Sequence, residues 1–111
     1  MISKKGARTK GHSWERQIAK DLRGLDSSAK RVLEYQEGLG YDIQTRLPLK
    51  IQAKSQKRPN LMKAMKEAEG SVVKGSVEMP MAVIKITNKG EYALMRWSDL
   101  LIIMKKAFIR V

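Results

Sequence analysis

The sequence of 111 residues contains no cysteine and only one histidine. The lack of cysteine excludes disulfide bonds and thiolate metal sites, and one histidine is too few for a histidine-based zinc site. No apolar run reaches the roughly 18 residues that a membrane span needs, and no basic amphipathic helix is present. No signal-peptide pattern opens the chain either. We therefore expect an intracellular, cytoplasmic protein without a membrane partner.

Basic residues dominate the charge of the chain. Lysine and arginine number 23 against 11 acidic residues, which gives a net charge of +12. Such an excess favours polyanionic partners, of which nucleic acid is the commonest. We expect one domain over residues 12–111, preceded by a flexible basic arm over 1–11. That arm either lies along phosphates or is a terminus with no specific role. Its basic residues are Lys4, Lys5, Arg8 and Lys10.

An alternating stretch after Pro48 carries the most informative pattern. Apolar and polar residues alternate over 49–54, which predicts a strand with one buried face. Gln52 and Lys54 then project from the other face, about 7 Å apart. If the segment containing Asp42 pairs with this strand as a hairpin, its carboxylate comes close to both side chains. An acid, an oxygen ligand and a lysine suit phosphodiester hydrolysis, because the oxygens can hold a divalent cation and the lysine can meet charge developing on phosphate.

Ser13 is a predicted N-cap for a helix that reaches about Leu25. The stripe that packs this helix on a sheet consists of Trp14, Ile18, Leu22 and Leu25. Glu15 borders the stripe, either as an acid favoured by the helix macrodipole or as a member of the site. His12 is expected at the surface or on a phosphate, with a role as catalytic base as the alternative.

Two further groups of residues bear on the site. Residues 31–36 are predicted as a first strand, on which Glu34 is either another metal ligand or a solvated acid. Lys57 and Arg58 follow the central strand and form a basic exit that is suited to holding a DNA backbone in register.

The second half of the chain predicts α/β structure. The predicted elements are a helix from Asn60 to Gly70 and two strands over 81–87 and 91–97, joined by a hairpin turn at 88–90. A helix over 99–106, capped by Ser98, follows them. The last helix is unusually apolar, and burial in a homodimer interface or within one monomer would explain this equally. The predicted order is α-β-β-β-α-β-β-α, a small mixed α/β domain.

These motifs together resemble a known family. Asp42 followed by Gln52-Ala53-Lys54, with Glu15 upstream on a helix, resembles the PD-(D/E)xK nuclease signature. The segments KGHSWER (10–16), EYQ (34–36), GYD (40–42) and IQAK (51–54) make the chain most similar to small phage-encoded Holliday junction resolvase-like nucleases, relatives of the archaeal resolvases. The resemblance runs from about residue 10 to the C-terminal helix and implies a restriction-endonuclease-like mixed β-sheet flanked by helices.

The resemblance implies an Mg²⁺-dependent endodeoxyribonuclease, with Mn²⁺ as a substitute, that leaves 5′-phosphate and 3′-hydroxyl ends. Its catalytic residues would be Glu15, Asp42, Gln52 and Lys54. Asp42, the Gln52 side-chain oxygen and the Ala53 carbonyl would bind the first ion, with Glu15 on a second ion or acting through water. The expected substrate is a four-way junction or other branched DNA, cut by a two-fold homodimer.

The chain departs from the family pattern at two positions. Tyr41 replaces the proline before the acid, and Gln52 replaces the usual second acid. A neutral amide binds Mg²⁺ more weakly than a carboxylate, so Gln52→Glu is expected to lower the metal requirement. Two other functions fit the same composition: a non-catalytic DNA-binding protein that retains the fold, and a nuclease of the same chemistry for other DNA structures.

Overall fold

A computed structural model describes residues 4–32 and 41–109 of the chain, with side chains from Gly11 onward. Within these residues the elements are α1 (Lys4–Leu22), β1 (Lys30–Arg31), β2 (Ile43–Gln44), β3 (Leu49–Gln56), α2 (Leu61–Gly70), β4 (Met79–Ile86), β5 (Gly90–Met95) and α3 (Trp97–Phe108). The predicted order of elements and the mixed α/β class are confirmed. Glu34 and most of the predicted first strand lie outside the described residues.

The five described strands form one sheet in the order β1-β2-β3-β4-β5. β3 and β4 run parallel, and the remaining neighbours run antiparallel. Parallel neighbours need a long crossover connection, which here contains α2. The hairpin predicted around Pro48 is confirmed, because β2 pairs antiparallel with β3 and Ile43 lies opposite Ile51.

Two small hydrophobic cores lie on opposite faces of the sheet. On the α1 side, the buried residues are Trp14, Ile18, Ile43 and Ile51. On the α2 side, they are Ala64, Ala82 and Ile84. Successive side chains of a strand point to opposite faces. The apolar residues of β3 therefore meet α1, while its alternate polar residues meet α2.

The bounds of α1 differ from those that the sequence predicts. The helix begins at Lys4, and not at Ser13, so the described part of the basic arm, residues 4–10, is helical. Lysine, alanine and arginine there are strong helix formers, and they offset the glycine at position 6. The helix ends at Leu22, and Leu25 is 79% exposed after a turn, so its place in the packing stripe was wrong. Trp14 and Ile18 are buried as predicted.

The two later helices differ in how well they are anchored. Asn60 caps α2 as predicted, since its side chain accepts a hydrogen bond from the Lys63 amide at 3.0 Å. α3 begins at Trp97 after Arg96, and no side chain caps it, so the predicted cap at Ser98 was wrong. No residue of α3 is buried, and burial within one monomer therefore does not account for its apolar composition.

Two remaining features concern the turn before β5 and the helices as a whole. The hairpin turn predicted at residues 88–90 is confirmed, with positive φ at Asn88 and Gly90. Across residues 4–32 and 41–109, none of the helices combines the length and the apolar character needed to cross a membrane.

Candidate functional site

Asp42 is held rigidly beside β3 by three hydrogen bonds. Its amide donates to the Ile51 carbonyl at 2.9 Å, and its own carbonyl accepts from the Val32 amide at 2.8 Å. Its carboxylate Oδ2 accepts from the Ala53 amide at 2.7 Å. The backbone of Asp42 is therefore bonded both to β3 and to the segment that follows β1, and its carboxylate is fixed at the Ala53 amide.

The Ala53 carbonyl points to the same side of β3 as Asp42. Carbonyls at the two ends of β3, Pro48 and Gln56, accept from Met79 and Thr87 on the β4 side. Residues one position away in a strand direct their backbone groups the opposite way. Ala53 therefore directs both its amide and its carbonyl toward β2, as Ile51 does. A backbone oxygen and a carboxylate thus lie on one side of the strand.

Gln52 and Lys54 lie on the α2 face of the sheet, as the alternating pattern predicts. Asp42 bonds to Ile51 and Ala53, the residues on either side of Gln52, and the charge of Lys54 is close enough to act on its carboxylate. Both polar side chains contact Glu67 of α2. Its Oε2 accepts from Gln52 Nε2 at 3.2 Å and lies 2.7 Å from Lys54 Nζ.

The sequence reasoning missed Glu67, although a signal was present. The buried residues of α2 are Ala64, Met65 and Ala68, and Glu67 stands directly before the last of them, so it borders the face that packs on the sheet. An acid in that position must find a partner or remain near the surface, because burying an unpaired charge is costly. Helical spacing could thus have marked Glu67 as a group facing the polar residues of β3.

Glu15 reaches the site from the opposite face, on α1. Its Oε2 pairs with Arg31 Nε of β1 at 3.2 Å, and each side chain is 17% exposed. The sequence reasoning did not foresee Arg31 as this partner. A half-buried guanidinium neutralises much of the Glu15 charge, so Glu15 is anchored beside the site and is not a free carboxylate. We call Glu15, Asp42, Gln52, Lys54 and Glu67 the Asp42 cluster.

Burial and neighbouring charges raise the pKa of Asp42 above its ordinary value. Burial is the largest cause, and the negative charges of Glu15 and Glu67 act in the same direction. The Ala53 amide and the Lys54 ammonium oppose them without cancelling them. A bound cation would relieve this unfavourable charge, and carboxylates with such shifts are typical of functional sites.

Comparisons of the chain with protein-family models, with curated proteins and with solved structures found no match.

The oxygen groups around Asp42 suit a hard divalent cation. The carboxylate of Asp42, the side-chain carbonyl of Gln52 and the backbone carbonyl of Ala53 are the kinds of ligand that Mg²⁺ accepts, with waters completing its shell. Among the described residues, no three acidic or histidine side chains come close enough together to hold a metal ion. A cation here would therefore depend on the amide and the backbone oxygen as well as on carboxylates.

The basic residues assigned to DNA flank this cluster in the chain. Lys57 and Arg58 are exposed directly after β3. His12 is half-buried within α1, one turn before Glu15. Tyr41 lies under Lys50, whose Nζ is 3.9 Å from the ring centroid. The four basic residues of the predicted arm, Lys4, Lys5, Arg8 and Lys10, belong to the first turns of α1.

Proposed function

We propose that this chain is a divalent-metal-dependent endodeoxyribonuclease with the restriction-endonuclease-like fold, acting on branched DNA and above all on four-way junctions. The observation that carries the proposal is the anchored carboxylate of Asp42, 2.7 Å from the Ala53 amide nitrogen and close enough to Lys54 and Glu67 for their charges to act on it. The raised pKa of Asp42 supports the binding of a cation at this site, and the net charge of +12 supports the binding of a phosphate backbone.

Each residue of the cluster has a part in hydrolysis. Asp42 would hold the cation, with the Gln52 and Ala53 oxygens, and Glu15 would act on a second ion or through water. When bound, Mg²⁺ would supply positive charge that activates water and stabilises the negative charge on the phosphate oxygens. Lys54 orients the attacking water and meets the charge that develops on the phosphate oxygens. The water oxygen joins phosphorus and the bond to O3′ breaks, which leaves a 5′-phosphate and a 3′-hydroxyl.

A non-catalytic DNA-binding protein is the second candidate, and one contact favours it. The ammonium of Lys54 lies 2.7 Å from Glu67, and Gln52 also donates to that carboxylate. Two side chains that hydrolysis needs are thus engaged within the protein. The two functions differ in whether metal ions lead to strand cleavage.

Cleavage of labelled DNA separates these functions. Four-way junction, flap and linear duplex are incubated with Mg²⁺, Mn²⁺ or EDTA, using the wild type and Asp42→Asn. We expect the wild type to cut the junction only with metal, and Asp42→Asn to lose at least about 100-fold in rate.

Band-shift measurements in EDTA provide the control for that experiment, because Asp42→Asn should still bind DNA. If the wild type binds every DNA and cuts none, the second candidate replaces the first. Preferred cutting of the flap or of the duplex would retain the chemistry and change the substrate.

We further propose a two-fold homodimer that associates through α3. The helix has no buried residue, and the exposed side chains of Ile102 and Ile103 lie on the side of the helix that also carries Asp99 and Lys106. An antiparallel pair centred between residues 102 and 103 would bring Asp99 beside Lys106 of the partner subunit, so the surface is complementary to itself in charge. Light scattering should give a dimer for the wild type and a monomer for Ile102→Glu. A monomeric wild type would remove this part of the proposal.

A further inference from the structure

Glu67 is the residue that links the two polar side chains of β3. Its Oε2 accepts from the Gln52 amide nitrogen at 3.2 Å and lies 2.7 Å from the Lys54 ammonium. The side chains of Lys54 and Glu67 are 27% and 33% exposed, so this contact is partly shielded from water. α2 itself is fixed on the sheet by its buried residues, which keeps Glu67 in place.

The contact decides which end of the Gln52 amide faces the cluster. An ionised carboxylate only accepts hydrogen bonds, whereas an amide has one donating and one accepting end. The NH₂ end of Gln52 must therefore face Glu67, which leaves its carbonyl oxygen for another partner. Without Glu67, either end of the amide could face the cluster, and only the oxygen can bind a cation.

We propose that Glu67 is a positioning residue for the divalent cation, an inference that rests on the proposed nuclease function. By accepting the NH₂ group of Gln52, it commits the carbonyl oxygen of that amide to the cation beside Asp42. By pairing with Lys54, it fixes where the ammonium lies. Glu67 acts through these two side chains and not as a ligand, which agrees with the absence of a three-acid group among the described residues.

This role explains why the strand carries an amide where the family pattern has an acid. A carboxylate at position 52 would face the carboxylate of Glu67, and like charges in contact destabilise each other. Gln52 and Glu67 form a matched pair of one amide and one acid. Changing either residue alone breaks the match, and exchanging them restores it. We therefore expect Gln52→Glu alone to weaken metal binding, and not to lower the metal requirement as the sequence predicts.

A double-mutant cycle tests the pairing. The variants are Gln52→Glu, Glu67→Gln and the exchange of both, and the control is Glu69→Gln. Glu69 lies on the same helix but pairs with Arg96, so the control removes one charge and one ion pair without touching Gln52. Mn²⁺ affinity is measured by calorimetry on the protein without DNA, and cleavage of the junction is titrated with Mn²⁺ in parallel.

We expect each single change to weaken Mn²⁺ binding by about 10-fold or more, as loss of a partner of a metal ligand commonly does. The exchanged pair should bind Mn²⁺ at least as tightly as the wild type, and Glu69→Gln should match the wild type. Unchanged affinity in Glu67→Gln, or an exchanged pair no better than Gln52→Glu, would overturn the inference.

The two readouts separate this inference from the proposed function. If the affinities follow the cycle but no variant and no DNA shows cleavage, the positioning role stands and the nuclease function fails. If the wild type cuts the junction and Glu67→Gln cuts it with the same metal dependence, the nuclease function stands and the positioning role fails.

Discussion

Two aspartates on neighbouring loops show how differently one side chain can be used. Asp26, which is 7% exposed, accepts four hydrogen bonds. Its donors are the Ser28 amide at 3.0 Å, the Ser28 hydroxyl at 2.6 Å, the Thr45 hydroxyl at 2.7 Å and the Arg46 amide at 2.7 Å. These bonds, the Ser28 hydroxyl first, hold the pKa of Asp26 far below its ordinary value.

Asp42 is also shielded from water, but its pKa is shifted in the opposite direction. Its carboxylate accepts a hydrogen bond from the Ala53 amide, and burial together with the charges of Glu15 and Glu67 outweighs this donor. Hydrogen-bond donors outweigh burial at Asp26, whereas burial and the charges of Glu15 and Glu67 outweigh the Ala53 amide and Lys54 at Asp42. Asp26 fastens the loop after α1 to the loop before Pro48 and stabilises the fold. Asp42 carries a charge that its surroundings disfavour, which suits a group that binds a cation.

The largest effect expected from this contrast is the loss of stability in Asp26→Asn. The NH₂ group of asparagine would face the donors on one side of the carboxylate, which would leave buried donors without an acceptor. The melting temperature should fall by about 10 °C. Calorimetry at pH 7 measures it, with Asp21→Asn as the control, because Asp21 accepts only from Gln17 on its own exposed helix face. A fall no larger than that of the control would mean that the four bonds contribute little.

A smaller effect of opposite sign is expected for Asp42→Asn. Asparagine keeps an oxygen for the Ala53 amide and removes the charge that burial, Glu15 and Glu67 disfavour. Its melting temperature without metal should therefore rise by a few degrees, on the order of 3 °C, while metal-dependent cleavage is lost. Added Mn²⁺ should stabilise the wild type and not the variant. A lower melting temperature in Asp42→Asn would remove the contrast between the two aspartates.

The smallest effect is a difference in pH dependence. The charge of Asp26 stabilises the protein above the ordinary aspartate pKa of 3.8, and this is lost as the pH falls below that value toward the lowered pKa. The charge of Asp42 destabilises the protein above its raised pKa, and this penalty disappears as the pH falls through that pKa toward 3.8.

Denaturant titrations from pH 7 to pH 3 measure both effects. As the pH falls, the stability gained by Asp42→Asn should disappear first, at a pH above 3.8. The charge-dependent loss of stability in Asp26→Asn should disappear only below that pH. A gain in Asp42→Asn that stays constant across the range would show that charge is not its cause.

The sequence predicts the parts of this molecule that local patterns determine. Alternation after Pro48 predicted β3, and the asparagine-glycine turn predicted the hairpin at 88–90. Asn60 predicted the start of α2. Each depends on residues that are close in the chain. The start of α1 at Lys4 was missed, because Gly6 and Gly11 weaken the helical pattern there and Ser13 is a suitable cap farther along the chain.

Contacts between distant residues were harder to predict. The pairs Glu15–Arg31 and Lys54–Glu67 join different elements, and they depend on where each helix docks on the sheet. Asp26 lies between α1 and β1, and its four hydrogen bonds come from two separate loops. No local pattern carries such information, because it arises only when the register and the helix positions are fixed together.

The Asp42 cluster lies within residues 15–67, whereas α3 contributes no side chain to it. In the proposed dimer, the chemistry and the subunit contact therefore occupy separate stretches of the polypeptide. Substitutions along α3 would alter how far apart the two cutting centres stand and leave each centre intact. If the proposed nuclease function holds, changes in this one helix would alter which DNA shape is cut and leave the residues proposed for hydrolysis unchanged.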